Sequence, residues 1–241
     1  MKKSEIARQF DYKATVFLIT AVIALALNSI LNSIVNSFDS NAVFEGILAV
    51  LVALFAIFAD IMTVKGFLVV NKSCKLSEQN QNYYMGKKLT ILSVVCIVAG
   101  FILSIVAIFF TLMLEQYNQG TVLTADEETA RMNMMIITSV VNIALQLLAI
   151  STPYIIYIWQ LRKSMKKEDK LNNFALITVI VLILQLAIGI LNSIYIVKGA
   201  YSTFLSSFSE ILLTVKYLVL ALFLFARRQS LIKSVELNEE K

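Results

Sequence analysis

Residues 174–197 read FALITVIVLILQLAIGILNSIYIV, 24 positions without a charged side chain. As a helix rising ~1.5 Å per residue this stretch is about 36 Å long, enough to cross a hydrocarbon core ~30 Å thick. It is too long for a membrane β-strand. In lipid no water satisfies backbone amides, so a helix is the form that bonds its own backbone throughout. Five more stretches read the same way: Ala14 to Phe38, Val43 to Val70, Leu89 to Leu114, Met135 to Trp159 and Phe204 to Ala226. The sequence therefore predicts an all-α, polytopic integral membrane protein, a bundle of six transmembrane helices. The longest connections, Asn71 to Lys88 and Glu115 to Asn133, are too short to bury a core of their own. Residues 1–241 are accordingly expected to form a single transmembrane domain with no separate soluble domain.

Charge orders these spans. Of 21 Lys and Arg residues, 18 fall at the amino terminus, in the second and fourth loops, at their flanks and after the sixth span. The opposite side carries Asp39, Glu45, Glu115, Asp126, Glu127, Glu128 and Glu210 against Arg131 and Lys198. Basic loops stay inside, so both termini are expected in the cytoplasm. The net charge of +5 is explained by topology, and no nucleic-acid partner is implied. The partner implied directly is the lipid bilayer. The Lys- and Asn-rich composition points to a bacterial inner or plasma membrane.

Lys2, Lys3, an apolar run and Ala24-Leu25-Ala26 resemble a signal peptide. The run continues through Ile30, Leu31, Ile34 and Val35, longer than such a segment, so the first helix is expected to be retained. Cys74 and Cys96 fall in an inner loop and in the inner half of the third span, where no extracytoplasmic disulfide is expected.

Local signals refine the boundaries. Thr124-Ala125-Asp126-Glu127 and Ser207-Phe208-Ser209-Glu210 both fit a capping box, which predicts helix starts at Thr124 and Ser207. Lys198-Gly199 reads as the close of the fifth span. Tyr154, Tyr157 and Trp159, with Tyr83 and Tyr84, are expected to form an interfacial aromatic belt. Pro153 follows Ser151 and Thr152, whose hydroxyls can bond carbonyls that the proline leaves free. Ala49 with Ala53, Gly100 with Ser104, and Gly189 with Ser193 fit close small-xxx-small packing. Lys72 to Lys88 is expected as a solvated connection, with a short polar docking helix as its rival.

Polar residues inside spans are the candidates for function, because an ionisable group near a bilayer centre costs about 2.5 kcal/mol or more. Lys216 lies 11 residues before Arg227, about 16 Å from the inner boundary. Counted likewise, Asn28, Gln146 and Gln185 lie at about 22, 24 and 18 Å, forming with Lys216 a polar layer from four spans. Asp60, about 8 Å deep, is placed either in a salt bridge to Lys216 or at a hydrated inner mouth. Asn28, Asn32 and Asn36 recur at four-residue spacing on one helix face. With Asn142 and Asn192 they outline an outer vestibule, or else interhelical glue.

The chain contains no histidine, which removes His-ligated zinc, HExxH and Ser-His chemistry. No P-loop or dinucleotide fingerprint is present, no cofactor or metal is implied, and no catalytic function is expected. Two functional readings follow. One is a small permease, or the membrane subunit of a transporter, handling a polar or anionic solute opposite Lys216, with a cytoplasmic ATPase or another membrane subunit as candidate partner. The other is a non-transport bundle, an accessory, immunity or assembly protein that binds a partner.

Overall fold

The computed structural model describes residues 3–37, 42–76, 80–118, 125–147, 151–165, 169–197 and 203–239, with side chains over a narrower set. The described residues are almost wholly helical and include no strand. The helices are α1 (Lys3–Ser37), α2 (Ala42–Leu76), α3 (Asn80–Asn118), α4 (Ala125–Leu147), α5 (Ser151–Ser164), α6 (Lys170–Val197) and α7 (Thr203–Glu239). Five of them, α1, α2, α3, α6 and α7, are long and apolar enough to cross a membrane. The stretch expected as the fourth span is shared between α4 and α5.

Most helices run well past the apolar stretches that announced them. The expected connection from Lys72 to Lys88 is largely helix, since α2 continues to Leu76 and α3 begins at Asn80. Hydropathy marks where a helix can face lipid, whereas the i→i−4 backbone ladder continues through polar residues until something stops it. The same reasoning corrects the second capping box. Helix α7 is already formed at Thr203, so Ser207 and Glu210 sit inside it and Ser207 caps nothing. Helix α4 begins at Ala125 with three acids in its first turn, favourably placed at the positive helix end. Thr124 and the close at Lys198-Gly199 lie outside the described residues. Helix α6 is capped by Asp169, whose Oδ1 accepts from the Leu171 amide at 2.9 Å.

The helices pack in chain order around a closed ring. Helix α1 lies between α2 and α7, α3 joins α2 to the α4–α5 pair, and that pair joins α3 to α6, which meets α7. Paired residues give directions. Ser73 on α2 donates to the Ala7 carbonyl at 2.9 Å, and further along α1 Leu18 meets Gly66. Phe174 and Phe223 stack edge-on at 6.0 Å while Gln185 meets Lys216, so α6 and α7 are antiparallel.

The core gathers Leu18, Val22, Phe67, Tyr154, Ile158, Leu182, Leu220 and Phe223 around α5. Outside, the bundle is strongly apolar, with Phe101 68%, Val50 60%, Ile211 59% and Leu218 58% exposed. Inside, it buries Thr15, Thr63, Ser73, Ser93, Thr178, Gln185 and Lys216. A protein in water would lose by this distribution, whereas one surrounded by hydrocarbon gains by it.

Packing also redraws the small-residue map. A Cβ at Gly100 would meet nothing within 4 Å among the described residues, so Gly100 with Ser104 brings no described helix close. Ser104 donates instead to the Gly100 carbonyl of its own turn, and Ser193 does the same to Gly189. The close approach falls at Gly66, where a Cβ would stand 2.5 Å from Leu18 Cδ2 and 3.5 Å from the Ala14 carbonyl.

Candidate functional site

Lys216 is 5% exposed and Gln185 3% exposed, and the ammonium donates to Gln185 Oε1 at 3.1 Å across the α6–α7 contact. Its Nζ also stands 4.5 Å above the Tyr217 ring centroid, where the π-face offers partial negative charge. Lys216 and Asp60 form no ion pair, whereas Arg227 stands 3.9 Å from Asp11 in one. The alternative of an Asp60–Lys216 salt bridge is thereby corrected. Asp60 remains half-buried on α2, one turn before Thr63.

Beside the ammonium lies a cavity of about 30 Å³ lined by Leu25, Ser151, Tyr154, Leu182, Lys216, Tyr217 and Leu220. Four helices supply it: α1, α5, α6 and α7. Ser151 Oγ is buried and has no hydrogen-bond partner among the described residues. Tyr154, fully buried, shares a hydrogen bond of 3.3 Å with Thr63 Oγ1 on α2. Its ring packs 5.6 Å from that of Phe67, which also lies 5.6 Å from the Tyr157 ring. A line of polar groups thus runs from Thr63 through Tyr154 to the cavity, and from Lys216 to Gln185.

The aromatic belt is corrected at Tyr154 and Tyr157, and the side chains of Tyr83 and Tyr84 lie outside the described ones. Tyr154 and Tyr157 are core residues, while Trp159 is 42% exposed and carries Arg162 5.3 Å above its ring. The helix period explains the difference: Ser151, Tyr154 and Ile158 share the inward face of α5, and Trp159 points away. Thr152 donates to the Leu147 carbonyl at 2.7 Å, while the carbonyl that Pro153 leaves free, at Ala149, lies outside the described residues.

Of the expected polar layer, the structure joins Lys216 and Gln185. Asn28 lies one turn beyond Leu25 on α1, with Oδ1 buried and unpartnered among the described residues. The side chains of Gln146, Asn32, Asn36 and Asn142 lie outside the described ones, and Asn192 is half-buried away from the cavity. Residues missed from the sequence are Ser151, Tyr154, Thr63 and Tyr217. Tyr154 left a signal: it stands eight residues before Arg162, about 12 Å along the helix, deeper than a headgroup belt.

At the end of the bundle formed by the start of α1 and the later part of α7, Arg228 Nε and a terminal nitrogen donate to the Tyr12 hydroxyl at 3.2 and 2.9 Å. Arg162 Nε donates to Asn172 Oδ1 at 3.1 Å, tying α5 to α6. Among the described residues no group of three or more His, Cys, Asp or Glu side chains converges as a metal site would require. Comparison with family models, with curated proteins and with solved structures finds no match for this chain.

Proposed function

We propose that this chain is a small permease, or the membrane subunit of a transporter, for a polar or anionic solute. The ring of helices crosses the membrane six times, with α4 and α5 together making the fourth passage and both termini in the cytoplasm. Its setting is a bacterial inner or plasma membrane. The observation that carries the reading is Lys216: an ammonium buried in an apolar bundle, balanced by an amide oxygen and a ring face, beside a cavity with an unpartnered hydroxyl. A cation in hydrocarbon is costly and normally faces protein or a polar path. Here it offers a positive charge to a visiting group.

The test is flux through proteoliposomes holding the purified chain, using labelled chloride, phosphate, glutamate and glycerol as probes. Wild-type protein should move at least one of them, and Lys216→Met should abolish that movement while the protein remains folded. Flux unchanged by the substitution would sink the proposal. Co-purification of an ATPase in mild detergent would make the chain a subunit rather than a permease alone.

The non-transport reading draws on a different observation, the small size of the cavity within long helices. On that reading Lys216 and Gln185 are packing glue, and the flux assay stays blank while a defined membrane partner co-purifies.

A further inference from the structure

We infer that the Lys216 cavity is a binding site for one monovalent anion of halide size. This names the solute class for the site proposed above and rests on that reading only for movement, since binding is tested separately.

The lining decides the sign of the occupant. An ammonium has three N–H donors and no acceptor. One donor goes to Gln185 and the Tyr217 ring face lies against the same ammonium, which still lines the cavity. Ser151 adds a hydroxyl with no partner among the described residues, from a side chain 6% exposed. Where Thr63 donates to Tyr154, the Tyr154 hydrogen is free to turn toward the same space. No carboxylate among the described residues lines the cavity, so an ammonium and two hydroxyls supply its polar groups.

The size decides the class. A volume of about 30 Å³ exceeds the roughly 10–15 Å³ that a single water-sized occupant requires. It leaves no room for a sugar, an amino acid or a phosphate. Of the remaining walls, Leu25, Leu182 and Leu220 are apolar and supply no hydration, and Tyr217 holds its ring toward the ammonium. A weakly hydrated, monoatomic anion suits such walls better than a strongly hydrated oxyanion. Charge balance points the same way, because Lys216 has no carboxylate within ion-pair distance among the described residues. A resident anion would neutralise it and would occupy the Ser151 hydroxyl.

The experiment measures the unfolding midpoint of the purified full chain in sodium gluconate, chloride and bromide at one ionic strength. Raising chloride or bromide from zero to ten times its half-saturating concentration should lift the midpoint by about 3–5 °C, and saturably. Gluconate should not. Lys216→Met should lose the anion dependence, and Ser151→Ala should raise the half-saturating concentration by about tenfold, the loss of one hydrogen bond to a charged group. If Lys216→Met does not fold, Ser151→Ala carries the comparison. Midpoints equal in chloride and gluconate for the wild type overturn the inference and assign the cavity to water. Anion-dependent stabilisation without halide efflux keeps this site and defeats the transport reading. Flux of a larger solute without anion-dependent stabilisation keeps transport and defeats this site.

Discussion

The Lys216 ammonium takes its hydrogen-bond acceptor from Gln185 on the neighbouring helix, 3.1 Å away, and not from Asp60, the nearest carboxylate-bearing candidate by sequence depth. An amide oxygen solvates the charge without cancelling it. The pair therefore holds a net positive charge inside the ring, which is what distinguishes a receptive site from a closed salt bridge.

That arrangement predicts opposite signs for two substitutions. Gln185→Leu leaves the ammonium without its acceptor and should destabilise by about 1.5–3 kcal/mol. Lys216→Met removes the charge and keeps apolar volume, so it should be neutral or stabilising, as buried charges replaced by apolar groups often are. The double variant should recover most of the loss. Reversible unfolding in mixed detergent measures the cycle, and a Gln185→Leu that costs nothing would mean the ammonium does not depend on the amide.

Asp60 should be energetically separate from Lys216. The cycle of Asp60→Asn with Lys216→Met is expected to give a coupling within about 0.5 kcal/mol, as for independent sites. A coupling of several times that would restore the salt bridge that the structure does not show.

Tyr154 is expected to matter through its hydroxyl as well as its ring. Tyr154→Phe keeps the packing against Phe67 but removes the partner of Thr63, and both groups are fully buried. The cost should be about 1–2 kcal/mol. Thr63→Val should cost a similar amount alone and little more in combination, because the second change removes a group already unpaired. Additive losses in the double variant would show that the two hydroxyls do not act together.

The sequence carried the outline of this bundle because lipid imposes a single rule, backbone self-satisfaction over about 20 residues, that hydropathy reads directly. It also located Lys216 and Gln185, since an ionisable or amide group within an apolar run stands out by composition alone. It could not locate Ser151, Tyr154 or Thr63, which are unremarkable residue types in a membrane helix and matter through which face they occupy. By type and position Tyr154 suits the interface, whereas the face it shares with Ser151 and Ile158 places it in the core. Gly66 is inconspicuous for a similar reason. Nothing in α2 alone says that Leu18 of α1 lies against it, whereas Gly100, conspicuous in the sequence, faces no helix among the described residues.

Those two glycines give a paired prediction. Gly66→Ala drives a methyl into Leu18 and should destabilise by about 1–3 kcal/mol, the range for overpacking. Gly100→Ala, with open space, should be neutral within about 0.5 kcal/mol or slightly stabilising. Leu18→Ala combined with Gly66→Ala should cost less than the sum, since the truncated side chain leaves room for the new methyl. Equal effects of the two single substitutions would contradict the α1–α2 contact.

The proposed topology is open to direct labelling. In a chain with Cys74 and Cys96 changed to Ser, a cysteine replacing Glu128 in the exposed first turn of α4 should react with a membrane-impermeant maleimide added outside intact cells. One replacing Lys163, exposed at the end of α5, should react only after the membrane is opened. The two positions bracket the α4–α5 pair, so opposite accessibility means the pair crosses the membrane once. The excess of basic residues at the Lys163 end sets which side that is. Labelling of both positions from outside would mean that α4 and α5 do not cross together. The count of passages would then be odd, and the amino and carboxyl termini would lie on opposite sides.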